Sequence, residues 1–332
     1  LEYRGTKHLQ DYLQALRPDS RNVIHARFKQ LPAPTGRISA VEPNILAIPK
    51  LDNGAKKKAD KEWIYRPHAG RAIVHADYPA IEMRISSVMA DDATLITAFK
   101  EGLSPHKITA AKISGKSYDE VTSEEKDRAK PVNFGFQYGM FPPTFVDYAF
   151  ESGLVINLAQ AEEFRHAFLD NYSGIRRWHD ETNMLLNESD EKIELVSKRT
   201  GRSYQVGVIP VRTLVGRRIK AAGLNAALSY QVQGTGADIQ KTAVVTLGSK
   251  LRQVGLDAQI INMVHDAIYV ECAATEKDAV KTILKESMES AVNSLLTEFV
   301  TEVDVGEIAT GTSTADEAPV IHETETVSQL QR

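Results

Sequence analysis

The stretch INMVHDAIYVEC, residues 261–272, places a carboxylate inside a run of apolar residues that has the pattern of a β-strand. A buried, ionised carboxylate is costly unless something compensates for it, and the neighbouring Val264, Ile268 and Val270 cannot do so. Because strands alternate their faces, Asp266 either points to solvent or holds a cation. A hard divalent cation takes several oxygen ligands, so the metal hypothesis predicts a second carboxylate presented in the same way.

A second strand-like segment, RAIVHADYPAIEMR at residues 71–84, carries such a carboxylate. Residues 72–76 predict a short buried strand, Asp77 closes it, and Pro79 marks the exit into a helix over 81–89. Antiparallel neighbours would place Asp77 beside Asp266, where like charges repel unless a metal bridges them. The pairing favours the metal hypothesis over a solvent-facing Asp266.

Most of the sequence between these two aspartates has the pattern of helices. The segments DATLITAFKEG, HKITAAKIS and TSEEKDRAKPVNFGFQYGM each predict one. The last begins with a capping box, in which the Thr122 side chain accepts from the third residue's amide while Glu125 reaches back.

Four-residue spacing in the third helix predicts one stripe that contains Lys126, Lys130, Phe134 and Tyr138 and spans about 18 Å. Two cations followed by two aromatic rings fit a nucleoside triphosphate, with charges at the phosphates and a ring against sugar and base. The alternative is a solvated basic turn followed by two core aromatics. Pro131 favours a functional site, because proline inside a helix removes a hydrogen bond at a cost of about 3 kcal/mol.

Composition limits the class of protein. The chain has 332 residues, 42% of them hydrophobic and 25% charged, which is typical of a globular protein with an ample core. The sequence contains no signal-peptide pattern and no run of about 18 apolar residues, so we expect no membrane segment. The single Cys272 excludes an internal disulfide and favours a reducing, cytoplasmic setting.

Charge is distributed unevenly along the chain. The net charge is −4, and residues 302–332 contribute −6 of it, which leaves +2 for residues 1–301. The body therefore does not oppose a nucleic-acid partner. Residues 306–332 are acidic and lack aromatic residues, so we expect a disordered tail. The sequence has no GxxxxGK[ST], HExxH or CxxC motif, which excludes the sites that these motifs build.

Three segments together resemble motifs A, B and C of the family A DNA polymerases: HADYPAIEMR, KDRAKPVNFGFQYG and MVHDAIYVE, in this order. Four further segments match around them: LEYRG at 1–5, TGRISAVEPNILAIP at 35–49, VRTLVGRR at 211–218 and QVQGTGADIQK at 231–241. The likeness covers nearly all of residues 1–305.

The resemblance implies an α+β right-hand polymerase fold, with an antiparallel palm sheet and inserted helical fingers. It divides the chain into a thumb remnant (1–30), a first palm segment (31–90), fingers (91–225), a second palm segment (226–305) and the acidic tail (306–332). It also implies template-directed DNA synthesis with two Mg²⁺ ions. Such an enzyme transfers dNMP to a primer 3′ hydroxyl and releases pyrophosphate. The implied partners are primer-template DNA and deoxynucleoside triphosphates (dNTPs).

The family's functional residues carry over to matching positions of this sequence. The positions that match metal ligands are Asp77, Asp266 and the carbonyl of Tyr78, and the two aspartates are the implied catalytic residues. The positions that match nucleotide-binding residues are Glu82, Lys126, Arg128, Lys130, Phe134 and Tyr138. The positions that match DNA-binding residues are Arg37, Gln233 and His265.

Two departures and the start point bear on function. Lys126 replaces the usual arginine, with Arg128 two residues later, and Ala267 replaces the acid that usually follows Asp266. LEYRG lies within the thumb in the family, so we expect most of the thumb and the exonuclease domains to precede Leu1. The resemblance then implies no proofreading in this chain and allows a second chain that carries the missing thumb and exonuclease.

Two other functions stay open. One is a catalytically silent DNA-binding subunit of a split polymerase. The other is a single-subunit RNA polymerase, which Glu82 disfavours because that class keeps a small residue there.

Overall fold

The computed structural model describes residues 16, 18–20, 23–47, 65–197 and 200–308, and combines α-helices with antiparallel sheets. The described strands are β1 (Arg27–Lys29), β2 (Ser39–Val41), β3 (Arg71–Asp77), β4 (Lys192–Val196), β5 (Ser203–Arg212), β6 (Arg218–Ala222), β7 (Ala258–Val264), β8 (Ala267–Ala273) and β9 (Asp304–Ile308). The described α-helices are α1 (Ile81–Met89), α2 (Ala93–Lys100), α3 (Pro105–Ser114), α4 (Ser123–Phe136), α5 (Pro142–Glu151), α6 (Leu158–Asn171), α7 (Ser173–Glu188), α8 (Leu224–Val254) and α9 (Lys277–Asn293). The α+β class with helices inserted between strands is confirmed.

The sheet that carries both aspartates has four strands in the order β7-β8-β3-β9, all antiparallel to their neighbours. In β3, Val74 lies opposite Val270 of β8 and belongs to the main core, where α9 packs on this face of the sheet. The other face contributes Ile73 and Tyr269 to a second, smaller core. Because both faces of β3 are covered, residues 72–74 and 76 are all buried, and the predicted buried strand is confirmed.

Residues 261–272 do not form the single strand that the apolar pattern predicts. The chain folds there into the β7–β8 hairpin, in which Val264 pairs with Ala267 and only two residues form the turn. His265 takes a positive φ of 56°, as a tight two-residue hairpin turn requires. Asp266 is therefore a turn residue at the end of the sheet, not a strand residue.

The motif helix α4 begins as the sequence predicts. The Thr122 Oγ1 accepts from the Glu125 amide at 3.2 Å, and the Glu125 carboxylate accepts from the Thr122 amide at 2.9 Å. The helix continues through Pro131 but ends at Phe136, with Gln137 as its C-cap. Tyr138 lies beyond the helix, so the predicted helical stripe is wrong at its last member.

A three-stranded antiparallel sheet, in the order β4-β5-β6, lies in a region that we predicted to be mostly helical. Its inner face packs on α7 and α8 through a core that includes Ile209, Val211 and Ile219. The strands approach α7 closely, since a Cβ added at Gly207 would lie 1.9 Å from the Leu186 carbonyl oxygen. Here strand pairing prevails over the helical pattern expected from the surrounding sequence.

The end of the described chain differs from the expected tail. Strand β9 pairs with β3 and places Ile308 opposite Ile73. The prediction of disorder is therefore wrong for residues 306–308, because they complete the central sheet. The remainder of the tail and LEYRG lie outside the described residues, and the division into thumb, palm and fingers stays a prediction. None of the described helices combines the length and apolar character needed to cross a membrane.

Candidate active site

The two aspartates meet at one end of the central sheet. Asp77 ends β3, Asp266 immediately precedes β8, and the register of these strands pairs Ala76 with Ile268. Burial raises the pKa of Asp266, the nearby charge of Glu82 raises it further, and the contact with the Asp77 side chain lowers it. The predicted juxtaposition is confirmed, and it concentrates negative charge in a partly buried place.

The residue after Asp77 anchors this end of the sheet. Tyr78 is 2% exposed, and its hydroxyl donates to the Met288 carbonyl of α9 at 2.9 Å. Burial, and secondarily the charge of Asp266, raises the pKa of this phenol, which stays neutral. The buried side chain fixes the main chain beside Asp77. The register also places Asp304 of β9 opposite Asp77, an acid that sequence reasoning missed.

The donor set at this end suits a hard divalent cation that is completed by a ligand. Among the described residues, no group of three or more His, Cys, Asp or Glu side chains is arranged to hold a metal. Mg²⁺ usually binds through one or two carboxylates together with waters and substrate phosphates. Two adjoining carboxyl groups, one with a pKa raised by burial, match that habit because a cation would compensate for their buried negative charge.

Glu82 of α1 is held between two side chains that the sequence places far away. Its carboxylate accepts from the Tyr138 hydroxyl at 2.5 Å and forms a short ion pair with Arg37. The Gln137 amide donates to the Glu82 carbonyl at 3.1 Å, which ties α1 to the end of α4. Burial raises the pKa of Tyr138, with the charge of Glu82 as the second cause. Arg37, expected to contact DNA, contacts Glu82 here.

The outward side of α4 carries the two lysines and one aromatic ring. Lys130 is exposed, and Phe134 is 41% exposed, so Phe134 is not a core aromatic. Lys130 pairs with Asp127 of the same helix at 2.7 Å, an acid that sequence reasoning did not weigh. Arg128 lines a cavity with Leu154 on a different side of the helix, so the structure does not bring it together with Lys126.

His106, at the start of α3, joins this side of α4, and sequence reasoning missed it. Its ring centroid lies 5.6 Å from that of Phe134, and its Nδ1 accepts from the Asn133 amide at 2.8 Å. Burial lowers the pKa of His106 to about 4, and the charges of Lys130 and Lys126 contribute. The imidazole is therefore neutral at pH 7, and its Nε2 carries the proton. The sequence signal is weak, since Pro105 marks only the helix start.

The remaining predicted DNA-binding residues lie on two elements close to the central sheet. Gln233 is half-buried on α8, and His265 is exposed in the β7–β8 turn beside Asp266. Another residue that the sequence did not single out connects α8 to the Arg37 segment. Arg217 donates to Asp238 of α8 at 3.0 Å and to the Thr35 carbonyl at 2.7 Å. These bonds fix the position of the loop that leads to Arg37.

Solved structures and curated relatives extend this picture. The POL domain of Pol1 from M. smegmatis, in complex with DNA primer-template and dNTP, superposes with a TM-score of 0.71 at 26% identity, over 92% of this chain and 50% of that one. DNA polymerase I of Aquifex aeolicus is 35% identical over 306 residues, which cover 92% of this chain and 49% of the relative. DNA polymerase I of Caldicellulosiruptor bescii is 32% identical over 302 residues, covering 91% of this chain and 33% of the relative.

The chain therefore spans half or less of these relatives' length. A family model described as DNA polymerase family A matches residues 1–310, nearly the whole sequence. That match includes all three motif segments and the central sheet that presents the two aspartates. The chain thus belongs to DNA polymerase family A.

Proposed function

We propose that this chain is the polymerase region of a DNA-directed DNA polymerase. It joins a deoxynucleotide to a primer: the 3′ hydroxyl loses its proton to water, its oxygen bonds to the α-phosphorus, the bond from that phosphorus to the leaving oxygen breaks, and pyrophosphate departs. The observation that carries the proposal is the contact between Asp77 and Asp266 at the end of two neighbouring strands. The M. smegmatis structure, which holds primer-template and dNTP, supports DNA and dNTPs as partners.

Asp77, Asp266 and the Tyr78 carbonyl would hold Mg²⁺, with two ions expected. Bound there, Mg²⁺ supplies positive charge that favours a deprotonated hydroxyl and neutralises phosphate oxygens. The protein's own contribution is positioning. β3 and the β7–β8 turn fix both carboxylates through main-chain pairing, and buried Tyr78 keeps the chain beside Asp77 in place.

The side of α4 that faces away from the core would bind the nucleotide. Lys126 and Lys130 supply charge for the triphosphate, and Phe134 supplies a ring for the sugar and base. His106 adds a neutral Nε2–H donor next to that ring. On binding, a phosphate would replace Asp127 as the partner of Lys130. Charge-assisted hydrogen bonds of this kind are stronger than neutral ones.

The Arg37–Glu82–Tyr138 contact would select the sugar. Glu82 is fixed from both sides, so it presents a rigid wall where a ribose 2′ hydroxyl would lie. This wall favours deoxynucleotides and argues against the RNA polymerase alternative. Gln233, His265 and Arg37 are the proposed contacts to the primer-template, and Arg37 would contact DNA through the guanidinium N–H groups that it does not donate to Glu82.

Primer extension on a short primed template with Mg²⁺ tests the proposal. We expect extension with dNTPs, much poorer extension with ribonucleotides, and none in Asp266→Ala. Extension with ribonucleotides at equal efficiency would favour an RNA polymerase instead. Retained binding to primed DNA without any extension by the unmodified chain would favour the silent subunit and contradict the proposal.

A further inference from the structure

The three-stranded sheet of β4, β5 and β6 is the most basic region of the chain. Residues 192–222 contain eight Lys or Arg and a single acid, Glu194, a net charge of +7 in a chain whose total is −4. Such a concentration of one sign creates a positive field that attracts polyanions. None of the residues proposed for the reaction lies in this sheet, so its charge needs another explanation.

The two faces of this sheet are distinct. Ile209, Val211, Ile219 and Ala221 are buried against α7 and α8. Since strand residues alternate and directly opposite residues share a face, their neighbours point to the opposite, outer face. Of these neighbours, Pro210, Arg212 and Lys220 are exposed, whereas Val208 is buried.

The cations cluster on the β5–β6 part of the outer face. Arg212 lies opposite Arg218, and both are exposed, as is Lys220. Lys220 pairs with Glu191 at 2.9 Å, but the two side chains are 73% and 54% exposed, so water screens this pair and a phosphate can displace the acid. Arg217 differs, because Asp238 holds it on the inner side.

The other end of the outer face carries aromatic and aliphatic side chains. Tyr204 is 49% exposed and Ile193 is 40% exposed. The register pairs Leu195 with Tyr204 and Ile193 with Val206, so these four residues share one face. Tyr204 lies eight residues along β5 from Arg212, about 26 Å away. A single strand of several nucleotides spans this distance, so that a base stacks on the ring while phosphates contact the cations. A duplex would contact the cations but would leave the Tyr204 ring without a partner.

The location of this face indicates which single strand it meets. β6 leads through Gly223 directly into α8, where the Asn225 amide donates to the Tyr138 carbonyl at 3.1 Å. The sheet is thus joined to the end of α4, where the proposed nucleotide site lies. The portion of a primer-template that extends past the incoming nucleotide is the template strand that is not yet copied.

We propose that the outer face of the β4–β6 sheet binds the single-stranded template ahead of the site of synthesis. Arg212, Arg218 and Lys220 contact its phosphates, and Tyr204 stacks on a base. The identification of this strand as template rests on the proposed function. The capacity to bind a single-stranded overhang does not.

Fluorescence anisotropy with two labelled DNAs tests this proposal: a primer-template with a 5′ template overhang of about ten nucleotides, and a blunt duplex of the same paired length. We expect Arg218→Gln/Lys220→Gln to weaken binding to the overhang DNA roughly tenfold and to lower its salt slope by about 1.4, since each phosphate contact on a single strand contributes about 0.7. Binding to the blunt duplex should stay unchanged. Tyr204→Ala should reduce overhang binding without changing the salt slope.

Lys250→Gln/Lys285→Gln is the matched control. It removes one partly exposed charge near the end of α8 and one exposed charge on α9. Lys250 lies about 18 Å along α8 from Asp238, the α8 residue to which Arg217 donates. Equal losses on both DNAs, equal losses in the control, or no loss on the overhang DNA would overturn the proposal. Thermal unfolding of each variant identifies misfolding, and Lys220→Gln alone then provides the test. A chain that binds the overhang but extends no primer would contradict the proposed function, but it would not contradict the binding of single-stranded DNA by this face.

Discussion

The two aspartates and the two lysines of the proposed site are positioned in different ways. Asp77 and Asp266 are fixed by strand register and by a two-residue turn, so the main chain sets their distance. Lys126 and Lys130 lie on the outer side of one helix, and Lys130 pairs with Asp127 of the same helix. Register positions the aspartates rigidly, whereas long exposed side chains adjust to their ligand. We therefore expect the aspartates to control the chemical step and the lysines to control nucleotide affinity.

Removing one aspartate tests whether the aspartates control the chemical step. Asp77→Ala or Asp266→Ala should lower the rate of primer extension at saturating dNTP by about a thousandfold or more, because metal-assisted charge stabilisation supplies several kcal/mol. Asp278→Ala, an exposed acid on α9, serves as the control and should extend normally. Single-turnover extension measures the rate. A variant of either active-site aspartate with near-normal extension would contradict the assignment.

The buried region next to the lysines can be tested through His106. Its pKa of about 4 in the folded chain lies below the unfolded value of about 6.5, so the unfolded chain binds the proton more readily. The resulting stabilisation is complete above about pH 6.5 and declines as the pH falls toward 4, by about 3 kcal/mol in total. Urea unfolding between these pH values measures it.

The same unfolding series separates His106 from other titrating groups. His106→Gln should flatten the pH dependence, because glutamine is not protonated in this range. His166→Gln, at an exposed position of α6, should leave the dependence as it is. An unaltered pH dependence in His106→Gln would mean that His106 is not buried beside the lysines.

Truncating Lys130 tests the second half of the comparison. A hydrogen bond to a charged group contributes about 1.5–3 kcal/mol, so Lys130→Ala should lower kcat/KM for dNTP roughly 10- to 100-fold. Most of the loss should be in KM. Lys112→Ala, an exposed lysine on α3, provides the control and should have little effect. A loss confined to kcat would place Lys130 in the chemical step and would contradict the expectation that the lysines control nucleotide affinity.

The smallest expected effect concerns sugar choice. Glu82→Ala removes the side chain held by Arg37 and Tyr138, so discrimination against ribonucleotides should fall about tenfold, or about 1.4 kcal/mol. Tyr138→Phe keeps the ring but loses the bond to Glu82, and it should reduce discrimination less. Competition between dNTPs and ribonucleotides measures the ratio. Unchanged selectivity in Glu82→Ala would show that the wall lies elsewhere.

Local patterns in the sequence predicted the elements that carry the site. The apolar run of 72–76, the exit at Pro79 and the capping box at Thr122 each indicate structure through nearest neighbours, and each prediction is confirmed. The proximity of Asp77 and Asp266 was predictable because a carboxylate next to a buried apolar strand is costly unless something compensates for its charge. The same signal could not distinguish a strand from a hairpin, since the turn depends on the positive φ of His265.

Local sequence patterns do not predict the contacts between distant segments. Arg37 meets Glu82, and His106 meets Phe134, only after several helices have packed. Spacing could place Tyr138 on a stripe but could not show that α4 ends at Phe136. The β4–β6 sheet went unpredicted for the same reason, because its inner face packs on α7 and α8, which are distant from parts of it in the sequence.

The central claim is that Asp77 and Asp266 act as one site, and a double-mutant cycle on the rate of primer extension tests it most directly. When residues act together in one step, the effects of their substitutions on the rate are strongly non-additive. The double variant Asp77→Ala/Asp266→Ala should therefore extend no more slowly than the slower single variant. Losses that multiply would show that the two aspartates act independently and would contradict a shared site.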